Sequence, residues 1–135
     1  MVLNPSQIGQ IVELKCQAFI IAQGLNVLVP IGNYQPYDFI IEKDNKYYKI
    51  QVKHAIPKDN SFIVATKKSA RKNGKTISVK YEKNDLDFFM TEYKNNFYIF
   101  PNFDTKETRF WLKESRQNNS KLAKDYDAEN ILNKL

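Results

Sequence analysis

The chain has 135 residues and a formal charge of +6, from 21 Lys and Arg against 15 Asp and Glu. Its hydrophobic fraction of 42% suits one domain with its own core and is too high for a disordered chain, no apolar run is long enough to span a membrane, and Met1-Val2-Leu3-Asn4-Pro5-Ser6 lacks the basic-then-apolar order of a secretion signal, so a cytoplasmic domain over residues 1–135 is expected. One cysteine, Cys16, and one histidine, His54, exclude an internal disulfide framework and Cys-based or multi-His metal sites, and leave a Ser-His-Asp triad improbable.

In chain order, Ser6 is expected to cap a helix that runs to about Gln23 and stops at Gly24. Ile8, Val12, Cys16, Phe19 and Ile20 recur on an apolar stripe, while Gln10, Glu13 and Gln17 share a polar side. Leu25 to Val29 reads as a strand ended by Pro30, and a turn-rich stretch follows to Pro36. Tyr37 to Glu42 reads as a second strand, Asp44-Asn45 as a tight turn, and Lys46 to His54 as a third strand. There Tyr48, Ile50 and Val52 alternate with Lys49, Gln51 and Lys53, which gives one buried face and predicts a hairpin with the second strand. Ser61 to Thr66 is a fourth strand, and Lys67 to Ser78 reads as a basic loop around Asn73-Gly74. Leu86 to Tyr93 and Phe97 to Phe100 are aromatic core strands joined by Lys94-Asn95-Asn96. Thr108 to Leu112 is an apolar run of open type, Gln117-Asn118-Asn119-Ser120 a linker, and Asp127 to Leu135 a short helix in a tail of about residues 117–135. A helix, several strands and a small helical tail predict an α/β (α+β) fold with the first helix packed on a central sheet.

The charge is concentrated. Residues 53–83 hold nine bases and two acids, a net of +7, and the other 104 residues net −1. Like charges gathered this way repel unless an anionic partner neutralises them, and nucleic acid is the commonest such partner. Lys67, Lys68, Arg71, Lys72 and Lys75 form the centre of this arm of about residues 58–83, and Lys80 and Tyr81 extend it. Drawn together as a flexible hairpin, it could enter a DNA groove, with the lysines on phosphates and Arg71 fitted to guanine.

Four polar residues can converge beside this arm. Asp38 opens the second strand, Gln51 and Lys53 share the outer face of the third, and Glu13 projects from the polar side of the helix. The carboxylates of Glu13 and Asp38 and the carbonyl of Val52 are hard oxygen donors suited to Mg²⁺, and Lys53 adds a fixed positive charge beside a phosphate. The run Glu13 … Pro36-Tyr37-Asp38 … Gln51-Val52-Lys53 resembles the PD-(D/E)XK nuclease superfamily. Its nearest likeness is to the branch of group I intron-associated homing endonucleases, where Gln-X-Lys also replaces Asp/Glu-X-Lys. Gly9, Pro30-Ile31-Gly32, Ser69-Ala70-Arg71 and Asp85-Leu86-Asp87-Phe88-Phe89 fit that branch as well, so the likeness spans roughly residues 7 to 101. Two departures stand out: Tyr37 separates Pro36 from Asp38, and Gln51 removes one negative charge that Glu13 must then supply.

The resemblance implies a restriction-endonuclease-like core, a mixed central β-sheet flanked by helices. It also implies an Mg²⁺- or Mn²⁺-dependent endonuclease that breaks both strands of a specific double-stranded DNA. Glu13 and Asp38 would hold metal, Gln51 would orient water or metal, and Lys53 would activate water or stabilise the transition state. A double-strand break needs two active sites, and the resemblance implies a tetramer built as a dimer of dimers, or at least a dimer. Leu122, Tyr126, Ile131, Leu132 and Leu135 of the tail are the expected interface residues, together with the aromatic strands. Two rival readings remain open: a Holliday-junction resolvase or repair nuclease of the same superfamily, and a non-catalytic DNA-binding domain.

Overall fold

Helix α1 (Pro5–Ala22) is fixed at its start by a reciprocal box. The Asn4 side chain accepts from the Gln7 amide at 2.9 Å, and the Gln7 side chain accepts from the Asn4 amide at 2.9 Å. Two N–H groups that the helix cannot satisfy are thereby paired, and Pro5 in the first turn has none to lose. The cap therefore lies two residues before the expected Ser6, because Asn4 has Gln7 three residues on and Ser6 has only Gly9 there. Val12, Cys16 and Ile20 face inward as the spacing predicts, whereas Ile8 is 37% exposed. On the outer side Ile11, Leu14 and Ile21 stand open to solvent.

This computed structural model describes residues 1–114 and 120–135, so Gln117, Asn118 and Asn119 of the expected linker lie outside the described residues. A five-stranded sheet runs in the order β1 (Asn26–Leu28), β2 (Phe39–Lys43), β3 (Lys46–Val52), β8 (Phe88–Tyr93), β9 (Asn96–Phe100). Asp44-Asn45 and Lys94-Asn95 close its two hairpins with positive φ at both turn residues, the conformation that matches the twist of paired strands. β8 lies parallel to β3, with Ile50 opposite Phe88 and Val52 opposite Met90. A second sheet runs β11 (Lys121–Leu122), β10 (Glu107–Trp111), β5 (Ser61–Ala65), β4 (Ala55–Lys58). A separate antiparallel pair joins β6 (Lys67–Lys72) to β7 (Lys75–Lys80). A 3₁₀ turn (Ala123–Tyr126) and helix α2 (Ala128–Lys134) end the chain.

The large sheet is covered on both sides. Val52, Met90 and Ile99 pack with α1 and α2 residues in one apolar cluster, and Phe89, Tyr93, Tyr98 and Phe100 pack with the second sheet in another. Phe62 anchors the second cluster, its ring centroid 4.9, 5.1 and 5.4 Å from those of Tyr93, Tyr98 and Phe110. The aromatic strands are thus core, as expected, but the core is split by a sheet.

Four expectations change. The stretch read as a basic loop is the β6–β7 hairpin, turned by Asn73 and Gly74 at φ 53° and 76°. β4 adds an edge strand that Pro57 hides in the sequence, since an edge position tolerates a missing N–H. Thr108 to Trp111 of the run left open belong to strand β10. The tail's apolar residues, expected at an interface, lie at least partly against the chain's own core. Leu132 is 2% exposed, Ile131 and Leu135 pack on the α1 cluster, and Tyr126 lies edge-on to Phe103 and Phe110. Lys43 fastens it, donating to the Leu132 carbonyl at 2.6 Å and the Leu135 carbonyl at 3.0 Å, where a helix C-terminus favours a cation.

Candidate active site

The end of β3 is held from two sides. The Asp38 amide donates to the Ile50 carbonyl at 2.8 Å, and Asp38 Oδ2 accepts from the Val52 amide at 2.7 Å. From the other side the Lys53 amide donates to the Met90 carbonyl at 2.9 Å, and Thr91 Oγ1 donates to the Lys53 carbonyl at 2.7 Å. Gln51, Val52 and Lys53 therefore project from a clamped segment. Asp38 lies just before β2 rather than within it.

Glu13, Asp38 and Gln51 line one cleft of about 370 Å³, along with Pro30, Lys68 and Tyr81. Three of the four residues expected to converge, Glu13, Asp38 and Gln51, line this cleft, and Lys53 is not among its lining residues. A wider hollow of about 590 Å³ beside α2 has Asp125 as its single carboxylate among lysines and asparagines. Chemistry, not size, selects the smaller cleft.

Both cleft carboxyls are pushed above their ordinary values. For Glu13 the causes are burial and then the charge of Asp38. For Asp38 burial dominates, opposed by the Val52 amide and the Lys53 charge. Burial likewise lowers the Lys53 ammonium, and Asp38 opposes it. Lys53 Nζ donates to the Lys67 carbonyl at 3.0 Å and sits 5.0 Å from the centre of the Tyr81 ring. Gln51 Nε2 donates to the Val52 carbonyl in a long contact of 3.4 Å, which leaves its amide oxygen as an acceptor beside the cleft.

The donor set fits a hard divalent cation. Two carboxylates repel across a partly dry cleft, and a cation between them relieves that repulsion. Among the described residues no group of three His, Cys, Asp or Glu gathers. The set would be completed by neutral oxygens, the Gln51 amide and the Val52 carbonyl.

Two arm residues have roles the sequence did not assign. Lys68 turns inward, pairing with Asp85 at 2.8 Å and lying 5.4 Å from the Tyr81 ring centre. Tyr81 is 6% exposed and packs edge-on against Phe89, so it is floor rather than surface. Burial, with the charges of Asp38 and Asp85, pushes its phenol up to about 12. Burial alone would raise the Asp85 carboxyl, but Lys68 and the Glu82 amide hold it below the ordinary value. Reading Lys67 to Lys72 as a strand would have predicted the inward turn, since Lys68 then faces away from Lys67 and Ser69. Lys67, Arg71, Lys72, Lys75 and Lys80 remain exposed on the hairpin, with Lys80 3.9 Å from Asp104. His54 is exposed, two residues past the end of β3.

A family model described as PD-(D/E)XK endonuclease matches residues 3–129. Among solved structures, the bacterial homing endonuclease I-Ssp6803I superimposes with a TM-score of 0.79 at 21% identity, covering 96% of this chain and 93% of that one. No curated protein matches.

The raised carboxyls give a signed expectation for stability. A carboxyl raised in the folded chain contributes stability only while protonated, and that contribution is lost as pH rises through its folded value. At neutral pH the charge on Asp38 is therefore a cost. Asp38→Asn, which still offers an oxygen to the Val52 amide, should raise Tm in EDTA at pH 7 by a few degrees. The gain should shrink as pH falls towards the ordinary aspartate value of 3.8, where the wild-type group is protonated as well. Scanning calorimetry from pH 7 to pH 4 reads both effects.

Proposed function

The chain belongs to the PD-(D/E)XK endonucleases, and from that membership we propose that it is a sequence-specific homing endonuclease that breaks both strands of DNA with Mg²⁺. The observation that carries this reading is the cleft where Glu13, Asp38 and Gln51 meet beside Lys53. Glu13, Asp38 and the Val52 carbonyl would hold the metal. When bound, it supplies charge neutralisation at the scissile phosphate and a water acidic enough to attack. Lys53 holds a positive charge at the rim, where negative charge grows on the phosphate as the bond breaks. The Gln51 amide oxygen accepts a hydrogen from water and so orients it, but cannot take a proton away. Lys68, turned towards the cleft, is placed to meet a phosphate there rather than along the arm.

The hairpin supplies the duplex-binding surface. Strand alternation and the register place Lys67, Ser69, Arg71, Thr76, Ser78 and Lys80 on one face, with Arg71 opposite Thr76 and Ser69 opposite Ser78. A two-stranded ribbon fits the DNA major groove, where a polar face of this kind reads base edges. Lys72 and Lys75 at the turn reach phosphates.

Two copies are needed for two cuts. Ile11, Leu14, Ala18 and Ile21 repeat at spacings of three and four along the exposed side of α1, with no charge among them. Two positively charged copies can meet on that stripe without like-charge repulsion, and it replaces the tail as the candidate interface.

Three outcomes test the reading. Asp38→Ala and Lys53→Ala should each lower cleavage of a plasmid carrying the target by at least about 10²-fold while DNA binding persists; cutting at the wild-type rate by either variant would refute the site. Removing Lys72 or Lys75 should flatten the slope of log K against log salt by about 0.9 each in a filter-binding titration. By light scattering the wild-type chain should have the mass of a dimer or tetramer and Leu14→Glu that of a single chain. A single-chain mass for the wild type at micromolar concentration would rule the assembly out.

A further inference from the structure

The loop between β1 and β2 has no role in holding metal or binding phosphate, yet it forms one wall of the cleft. Its residues Val29, Pro30, Gly32, Asn33 and Gln35 line the same cavity as Glu13, Asp38 and Gln51. Any phosphate cut in that cavity brings the adjoining base pairs against this loop.

Residues 29–37, Val-Pro-Ile-Gly-Asn-Tyr-Gln-Pro-Tyr, contain no charged side chain. In a chain with 21 bases, the wall nearest to an anionic substrate has none. Instead it displays apolar groups: Ile31 is 97% exposed, Tyr34 90% and Val29 59%. Single exposed apolar residues are ordinary on any surface, but these three fall within six residues of a loop that walls the cleft: Val29 lines it, and Ile31 and Tyr34 each sit between two residues that do. Nor is the loop slack. Pro30 and Pro36 fix φ near its two ends, and Gly32 holds φ at +83°. A Cβ on Gly32 would lie 2.8 Å from Tyr34 Cε2, so the Tyr34 ring rests directly on the Gly32 backbone and braces the turn beside Ile31.

We propose that Ile31 is a wedge that enters the duplex beside the scissile phosphate and unstacks one base step, with the Tyr34 ring as its brace. An apolar side chain gains nothing from phosphates, but gains burial and stacking contact between bases, and proteins that kink DNA insert aliphatic residues in this way. Opening the step would bring its phosphate into the cleft between Asp38 and Lys53. Ile31 is thus a positioning residue for the cut. The inference rests on the endonuclease reading above.

The test uses the full-length chain and a duplex bearing the insertion sequence that the plasmid assay identifies, either intact or with a mismatched pair at the cut step. Ile31 contributes almost nothing to the core, so Ile31→Ala should fold and keep the wild-type mass by light scattering. Single-turnover cleavage of the intact duplex should fall roughly tenfold or more in Ile31→Ala, while the mismatched duplex, already unstacked, should be cut at nearly the wild-type rate. 2-Aminopurine at the step should brighten on binding wild-type protein and not on binding Ile31→Ala. Equal cutting of the intact duplex overturns the wedge, and so does an equal loss on both duplexes, which would mark a general defect. A drop in mass overturns it too, by assigning Ile31 to a contact between copies. If the wild-type chain cuts neither duplex, the endonuclease reading itself fails, and the wedge fails with it.

Discussion

The hydrogen bond from the Val52 amide to Asp38 Oδ2, at 2.7 Å, is the contact on which the site depends. It joins the loop-borne carboxylate to the strand that carries Gln51 and Lys53, so the acidic and basic parts of the site are fixed relative to each other by one short contact. It also occupies one lone pair of Asp38 Oδ2 with the backbone. The clamp of Lys53 against Met90 and Thr91 on the opposite side completes the arrangement, because a parallel neighbour holds β3 where a free edge would fray. Sites held on strands in this way are positioned more tightly than sites on loops.

The cleft is unfavourable by itself. Two carboxylates and a lysine lose hydration there, and the charge of Asp38 further raises the proton affinity of Glu13. Such strain is common where a fold is built for chemistry rather than stability, and on the proposed reading a divalent cation would relieve the carboxylates and a phosphate the lysine. Tyr81 ties this site to the arm. Its ring lies under the ammonium groups of both Lys53 and Lys68, one from the catalytic strand and one from the foot of the hairpin, and Asp85 neutralises the second. A duplex bound on the hairpin as proposed would lie beside the cleft, and the Lys67 carbonyl joins the hairpin's foot to Lys53.

Much of this was legible in the sequence where a physical period exists. The alternation read through Lys46 to His54 put Gln51 and Lys53 on one face, though β3 ends at Val52, and the helical spacing of Val12, Cys16 and Ile20 left Glu13 beside the buried side. What lacked a period was read less fully. The hairpin of Lys67 to Lys80 is polar on most of both faces, so no hydrophobic alternation marks it as a strand pair, although Asn73-Gly74 marks its turn. Pro57 concealed β4. The tail was assigned to an interface because its apolar residues are real, but the sequence does not tell whether an apolar face meets its own core or another chain. Pairings between distant residues, Asp38 with Val52 or Lys68 with Asp85, carry no local signal at all.

The central claim is that Glu13 and Asp38 are brought together to hold a divalent cation. Isothermal titration of the metal-free chain with Mn²⁺ at pH 7 tests it most directly, on the wild type and on Glu13→Gln and Asp38→Asn. The account predicts a saturable heat for the wild type that weakens as pH falls through the raised carboxyl range, and its loss in both variants. Binding of equal strength in either variant would contradict it.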